Sequence, residues 1–204
     1  MGMDIYGLNP IKNSPEPEAV AKWRIEDGMI NWKAMESVKG AQEEYFSALE
    51  KWNNENPGDY FRANIWWWRP LWECVCYFCD DILTEEDEEN GKMNNGYEYS
   101  IKTAQEISDR LEQVLKNGDL HKYRDGRNEF LNELPDENCK VCNGTGVRED
   151  EIGKKARKKD EEYKCNGCQG RGKNENFAKN YDFDIDFVMD FAKFCEQSGG
   201  FSIY

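Results

Sequence analysis

Hydrophobic periodicity is clearest in the segment between Ser100 and Asn117. The spacing of its apolar residues, three or four positions apart, is that of one face of an α-helix. These residues are Ile101, Ala104, Ile107, Leu111, Val114 and Leu115. Ser100 can cap the first turn, and Asn117-Gly118 supplies a stop. The pattern predicts an amphipathic helix over residues 101–116.

Weaker helical patterns flank this segment. Residues 17–53 are partly in helical phase but interrupted near Asp27-Gly28, which predicts two helices or one long helix with a break. Further helices are predicted over residues 119–134 and 186–197. The second of these should bury Val188, Phe191, Ala192 and Cys195.

A helix is also predicted after the aromatic stretch in the middle of the chain. Pro70 suits the first turn of a helix, where its missing N–H is harmless, so we expect the helix to cover residues 71–83. Its inward positions would be Leu71, Val75, Phe78 and Ile82. The acidic residues that follow, 84–96, are predicted to form a solvated loop.

Short β-favouring runs lie at both ends of the chain. We predict strands at residues 3–6, 181–185 and 201–204, and we expect Ile5 and Tyr6 to lie near Phe201 and Ile203. The predicted fold class is α+β, mostly helical, with a small sheet formed by the termini and an inserted four-cysteine zinc-knuckle hairpin. Three parts are expected: a helical core at 1–138 with the Trp-rich segment, a four-cysteine zinc-knuckle module at 139–173, and a strand-helix-strand unit at 174–204 that packs back on the core.

Composition and charge limit the class of protein. The 204 residues are 38% apolar with seven Trp, which is enough for a hydrophobic core. The formal net charge of −14 disfavours general binding to nucleic acid or to anionic membranes. No apolar run approaches the length that spans a bilayer, and the first residues are unlike a secretory signal. We therefore expect a cytoplasmic protein without a membrane partner, in which cysteines are metal ligands or buried residues rather than disulfides.

The cysteine spacing gives the strongest chemical signal. C-K-V-C-N-G-T-G at 139–146 and C-N-G-C-Q-G-R-G at 165–172 each place two thiols three positions apart before a Gly-x-Gly tail. Such pairs bind tetrahedral Zn²⁺, and glycines let backbone amides turn toward the sulfurs. One structural Zn²⁺ on Cys139, Cys142, Cys165 and Cys168 is predicted. Because four protein ligands close the coordination shell, this ion is expected to be non-catalytic.

These two repeats resemble the C-x-x-C-x-G-x-G units of the DnaJ cysteine-rich domain over about 34 residues, from 139 to 172. That family uses four units for two zinc ions, so the two units here imply one. The chain contains no His-Pro-Asp tripeptide, and the J-domain function of stimulating a partner ATPase is therefore not carried over. The resemblance implies a zinc-ribbon hairpin that recognises peptides or stabilises a fold.

The densest aromatic segment, Y-F-R-A-N-I-W-W-W-R-P-L-W, covers residues 60–72. Three consecutive Trp residues cannot all point the same way, so at least one is expected to be exposed or packed under the zinc module. Two interpretations stay open, namely core packing or a surface that stacks on a base or forms a protein hot spot. That surface would consist of Arg62, Trp66, Trp67, Trp68, Arg69 and Trp72.

The insert between the two cysteine pairs mixes seven basic and six acidic residues over positions 147–164. One interpretation is a solvated loop or helical finger. The other is contact with a partner or nucleic acid through Lys154, Lys155, Arg157, Lys158 and Lys159.

Two further groups are candidate metal sites with weaker signals. Cys74, Cys76 and Cys79 are interpreted mainly as small buried residues, with metal or redox use as the alternative. Asp80, Asp81 and the acidic run 85–89 lack the ligand spacing of a divalent-cation loop. The sequence has one His, at position 121, and no Walker, Rossmann or nucleophile-elbow motif, so no enzyme activity is predicted.

The chain also resembles a group of small uncharacterised proteins from phages and bacteria. The similarity rests on M-G-M-D-I-Y-G-L-N-P at the start, G-D-Y-F-R-A-N-I-W-W-W-R-P-L-W at 58–72, the two knuckles and S-G-G-F-S-I-Y at 198–204. It implies an accessory protein in the host cytoplasm that binds a host protein, with host defence or nucleic-acid-processing proteins as candidate targets. The alternative is a nucleotide or nucleic-acid binding module that uses the Trp/Arg segment and the basic insert.

Overall fold

The computed structural model describes residues 2–26, 28–148, 150–155 and 164–204, without the side chains of residues 153 and 154. The helices are α1 (Glu18–Ala21), α2 (Trp32–Glu36), α3 (Ala41–Glu55), α4 (Ile65–Phe78), α5 (Glu85–Asn90), α6 (Ile101–Lys116), α7 (Asp119–Glu133), α8 (Glu151–Lys155) and α9 (Ile185–Ser198), and a 3-10 helix covers Phe177–Asn180. The strands are β1 (Gly2–Gly7), β2 (Tyr60–Asn64), β3 (Tyr97–Tyr99), β4 (Glu137–Asn138), β5 (Lys173–Asn174) and β6 (Phe201–Ile203). The predicted α+β fold class is confirmed, since 50% of the structure is helix and 13% is strand.

A four-stranded antiparallel sheet joins the two ends of the chain. Its strand order is β2-β1-β6-β3. Ile5 pairs with Ile203 and Gly7 with Phe201, so the predicted pairing of the terminal segments is confirmed. The strands on the two edges, β2 and β3, were not predicted from the sequence.

The main hydrophobic core lies against one face of this sheet. Alternate residues of the central strands, such as Ile5 and Ile203, point into it and are fully buried. Helices α6 and α9 pack against each other in this core, and α6 begins at the expected cap, Ser100. Ser100 accepts a hydrogen bond from the Thr103 amide, and Asp184 accepts one from the Phe187 amide.

Helix α4 begins earlier than the sequence indicated. The Asn64 side chain caps it by accepting hydrogen bonds from the amides of Trp66 and Trp67, and Pro70 therefore lies inside the helix rather than in its first turn. The helix ends at Phe78, so the expected span of residues 71–83 is wrong at both ends. The start of the helix is set by Asn64 and not by Pro70, because the Asn64 side chain satisfies backbone amides that otherwise lack partners.

The acidic stretch after α4 contains a short helix, which corrects the prediction of a solvated loop. Thr84 and Asp87 form a capping box, in which Thr84 Oγ1 accepts from the Asp87 amide and Asp87 Oδ2 accepts from the Thr84 amide. Four acidic residues lie in the first turn of α5, where carboxylates are favoured by the helix dipole. Its charge therefore stabilises this helix instead of preventing it.

Two other segments differ from the prediction. Residues 17–55 form three helices, not the predicted two helices or single broken helix, because Gly40 adopts a left-handed φ of 80° between α2 and α3. These helices enclose a small second core of Val20, Met35, Ala41 and Tyr45. Residues 181–185 do not form the predicted strand, since helix α9 already begins at Ile185.

The chain divides into two compact units. Unit 1 consists of residues 1–123 and 183–204, and unit 2 of residues 124–182. Unit 1 contains the four-stranded sheet, and unit 2 contains the two-stranded pair β4-β5. Within the described ranges, no helix is both long enough and apolar enough to cross a membrane.

Candidate metal centre

Four cysteines from two distant parts of the chain meet in unit 2. The sulfur atoms of Cys139, Cys142, Cys165 and Cys168 all lie within 4.8 Å of one another. The sulfurs of Cys139 and Cys165 are 3.8 Å apart, and those of Cys142 and Cys168 are 3.7 Å apart. All four side chains are buried, so the cluster could coordinate one metal ion away from bulk water.

The two cysteine repeats have matching hydrogen bonds. The Gly146 amide donates to Cys142 Sγ over 3.3 Å, and the equivalent Gly172 amide donates to Cys168 Sγ over 3.2 Å. Each repeat also bonds to the other, because the Cys139 amide donates to the Gly172 carbonyl and the Cys165 amide to the Gly146 carbonyl. The two repeats therefore make equivalent hydrogen bonds around the cluster, with local twofold symmetry.

Glycine is required at the last position of each repeat for two reasons. Gly146 and Gly172 have left-handed φ angles of 75° and 74°. A Cβ at Gly146 would collide with the Gly170 carbonyl oxygen, and one at Gly172 with the Gly144 carbonyl oxygen. The Gly-x-Gly tails thus allow the two knuckles to approach closely enough to place four sulfurs together.

Burial and backbone hydrogen bonds act in opposite directions on the pKa values of the cluster thiols. Burial raises the pKa of the Cys142 thiol, but the hydrogen bond from the Gly146 amide and bonds from neighbouring thiols outweigh burial and bring the pKa to about 6. At Cys165 burial dominates and raises the pKa to about 11. A divalent cation requires thiolate ligands, so metal binding to this cluster would release protons.

The cluster is also the interior of its unit. Among the described residues of unit 2, the four cysteines are the only buried apolar side chains. A unit of this size without a hydrophobic core usually depends on a metal or on disulfides for its stability.

The second predicted surface, the Trp/Arg segment, is divided between core and solvent. Trp68 and Trp72 are buried, and their indoles stack with ring centroids 5.5 Å apart. Their Nε1 atoms donate to the carbonyls of Gly91 and Glu88. These two residues are therefore core residues and cannot form the surface considered from the sequence, because α4 places positions four apart on one inward face.

The remaining residues of this segment stay accessible. Trp66 is 38% exposed, and Arg62 and Arg69 are exposed. Trp67 is half-buried against Phe187, with ring centroids 5.4 Å apart.

The basic insert can be described only in part. Lys155 is exposed in the short helix α8. Lys154 belongs to the same helix, but its side chain lies outside the described part of the chain, as do Arg157, Lys158 and Lys159.

The other cysteines are not part of the metal cluster. In the described part of the chain, no second group of three or more His, Cys, Asp or Glu side chains lies close enough to share an ion. Cys74 and Cys79 are buried, and burial raises the pKa of the Cys76 and Cys79 thiols to about 12. Thiols that stay protonated at neutral pH behave as small apolar side chains.

Comparison with known proteins gives no match. No protein-family model, curated protein or solved structure is significantly similar to this chain.

Proposed function

We propose that the cysteine cluster holds one Zn²⁺ and that the ion is structural. Zinc–sulfur bonds of about 2.3 Å in a tetrahedron place neighbouring sulfurs about 3.8 Å apart. The sulfur–sulfur distances of 3.8 Å and 3.7 Å fit this spacing. Thiolates favour zinc over the hard cations Mg²⁺ and Ca²⁺, and four protein ligands leave no coordination position for a substrate.

Metal analysis of protein purified without added metal tests this assignment. We expect one zinc per chain in the wild type and almost none in a Cys142→Ser, Cys168→Ser double variant. Cys76→Ser is the matched control, since Cys76 lies outside the cluster, and it should retain one zinc. Substoichiometric metal in the wild type, or iron in place of zinc, would contradict the proposal.

We further propose that the protein acts by binding another protein rather than by catalysing a reaction. The observation that carries this proposal is the separation of charge between the two units. Unit 1 has 14 Lys/Arg and 28 Asp/Glu residues, whereas unit 2 has 13 of each. An acidic body of this kind is attracted to basic surfaces of proteins that normally hold phosphate.

The resemblance to phage and bacterial proteins suggests the setting for this activity. In that setting the chain is an accessory protein that occupies the basic nucleic-acid site of a host protein, such as a nuclease or polymerase. The acidic helix α5, in which Glu85, Glu86 and Glu89 are exposed, supplies a row of carboxylates suited to such a site.

Native pull-down from a bacterial lysate, followed by mass spectrometry, tests the binding role. We expect capture of a small set of nucleic-acid-processing proteins that added double-stranded DNA displaces. A variant with Gln at positions 85, 86 and 89 should capture a smaller amount of each of these proteins. Recovery of the same proteins by an unrelated acidic protein of equal charge would show that capture is non-specific and would contradict the proposal.

A second candidate function is nucleotide binding, favoured by the exposed Trp66 with Arg62 and Arg69 on the same segment. An indole can stack on a base while guanidinium groups bind phosphate. A thermal-shift screen with nucleotides and cyclic dinucleotides tests it, because a ligand at 100 times its Kd stabilises by about 2.7 kcal/mol. The shift should disappear in Trp66→Ala, and unchanged melting of the wild type with every nucleotide would exclude this function.

A further inference from the structure

The outer face of the four-stranded sheet has an ordered arrangement of polar and aromatic residues. Strand register places Tyr60, Tyr6, Ser202 and Glu98 side by side in one row from β2 to β3. The row crosses three strand spacings, roughly 14 Å. A second row beside it contains Arg62, Asp4 and Tyr204, since Asp4 pairs with Arg62 and exchanges backbone hydrogen bonds with Tyr204.

Three tyrosines dominate this face, which we call the tyrosine face (Tyr6, Tyr60 and Tyr204). Tyr6 is 46% exposed although it lies in the central strand β1. Tyr204, which directly follows the central strand β6, is 53% exposed. The Tyr6 ring lies 5.1 Å from the Tyr60 ring and 5.9 Å from the Tyr204 ring, measured between centroids. Large apolar groups held together in solvent on a regular sheet indicate a binding surface.

Contacts with neighbouring residues restrain two of the three rings, those of Tyr60 and Tyr204. The Tyr60 hydroxyl donates to Asp4 Oδ1, and Arg62 Nε lies 3.5 Å from the same carboxylate oxygen. The Tyr204 ring lies so close to Gly96 that a Cβ there would be 2.9 Å from its Cε1 atom. A surface already ordered before binding loses less side-chain entropy when a ligand arrives.

Ring geometry distinguishes between the possible ligands. The Tyr6 and Tyr60 planes differ by 42°, and the Tyr6 and Tyr204 planes by 69°. Rings tilted in this way form an uneven aromatic surface, not the flat platform on which successive bases stack. An uneven aromatic surface suits the ridges of a polyproline II helix, which proline-rich segments adopt before binding.

Charge gives the second distinction. Unit 1 has twice as many acidic as basic residues, so a polyanion is repelled from it. Glu98 is exposed at the β3 end of the tyrosine row. A basic side chain beside the prolines would pair with this carboxylate at that end.

We propose that the tyrosine face binds a proline-rich segment of a partner protein, with a Lys or Arg of that segment beside Glu98. The proposal rests on the protein-binding function proposed above, and it names a second surface besides helix α5 together with the chemistry that this surface recognises. The direct probe is a synthetic oligoproline peptide with two arginines at one end, titrated into the full-length, zinc-loaded protein. Calorimetry gives the Kd, and amide chemical shifts give the location.

We expect saturable binding, with shifts at Gly96 and along β1 and β6. Tyr6→Thr and Tyr204→Thr, which keep a β-favouring residue, should each weaken binding at least tenfold. Phe177→Thr removes a 55% exposed aromatic side chain from unit 2 and should leave the Kd unchanged. Glu98→Gln should weaken binding of the arginine-bearing peptide but not of plain oligoproline.

Several results would overturn the proposal. These are no saturable binding by the wild type, equal binding of a peptide with Ala in place of every Pro, or shifts confined to residues outside this face. Tighter binding of single-stranded DNA than of the peptide at the same tyrosines would also overturn it. If lysate partners are captured equally by the wild type and by both Tyr variants, this inference fails while the protein-binding function stands.

Discussion

At the scale of single residues, Gly91 occupies a position that has no space for a larger side chain. It ends helix α5 with an ordinary helical φ of −63°, so its backbone would accept any residue. A Cβ at this position would nevertheless overlap the indole of Trp72, which is 2% exposed and has no space to move. Glycine is therefore required at position 91 by the close contact with Trp72 and not by the backbone conformation.

Gly91→Ala should lower the free energy of unfolding by about 2–3 kcal/mol, because overpacking forces displacement of a buried ring. Urea denaturation followed by Trp fluorescence measures the loss. The control is Gly126→Ala, since a Cβ at Gly126 within α7 has open space around it. That change should be neutral or stabilising by up to about 1 kcal/mol, and equal midpoints for Gly91→Ala and the wild type would contradict the steric argument.

Asp87 links the cap of α5 to strand β3. Burial raises the pKa of its carboxyl, but hydrogen bonds from Thr84 and from the Tyr97 hydroxyl outweigh burial and lower the pKa overall. A lowered pKa in the folded state means that the carboxylate stabilises the fold above its unfolded pKa. That contribution is lost as the pH falls through the folded pKa.

Asp87→Asn should therefore cost about 1 kcal/mol at neutral pH. The difference from the wild type should shrink below about pH 4, where the unfolded carboxyl takes up its proton. Denaturation at several pH values measures this trend. Glu86→Gln removes an exposed carboxylate from the same turn and should have a smaller effect, so a pH-independent deficit in Asp87→Asn would contradict the linkage.

Local signals such as caps were readable from the sequence, whereas close approaches were not. Ser100 identified the start of α6 because a cap and its amide lie within one turn. The capping box at Thr84 and Asp87 has the same local character, but the acidic composition around it favours the prediction of a loop. The contact of Gly91 with Trp72 depends on how α5 packs on α4, which no local pattern encodes.

At the scale of elements, the two cysteine repeats show how much a pattern can specify. Sequence spacing alone identified all four residues that meet, because each C-x-x-C-x-G-x-G unit is a self-contained turn. The matched amide-to-sulfur hydrogen bonds follow from the same glycines. By contrast, strands β2 and β3 depend on pairing across long stretches of sequence, and short apolar runs do not indicate which strands will pair.

Gly172→Ala should weaken zinc binding about 10- to 100-fold, the usual cost of losing a partner of a metal ligand. The new Cβ would displace the knuckle and with it the amide that donates to Cys168 Sγ. Competition with a chelating dye measures the affinity. Gly118→Ala is the matched control, since Gly118 has a similar φ of 81° with open space around it in unit 1, and its zinc affinity should be unchanged.

At the scale of the whole molecule, the two units gain stability from different sources. Unit 1 has an extended hydrophobic core with Trp68, Trp72, Phe191 and Phe194 fully enclosed. In the described part of unit 2, the buried apolar side chains are the four cysteines alone. The proposed zinc ion should therefore supply most of the folding free energy of unit 2 and little of that of unit 1.

Removal of zinc should unfold unit 2 while unit 1 stays folded. All seven Trp residues lie in residues 23–72, so Trp fluorescence and near-ultraviolet circular dichroism report mainly on unit 1 and should change little on addition of a chelator. Hydrogen exchange should show loss of amide protection over residues 139–148 and 164–174, with protection in α6 and α9 retained. Parallel loss of protection in both units would show that they fold together, and unchanged protection around the cysteines would show that the metal does not stabilise unit 2. Readdition of zinc should restore the lost protection, because the two C-x-x-C turns need only the ion to bring their thiolates together.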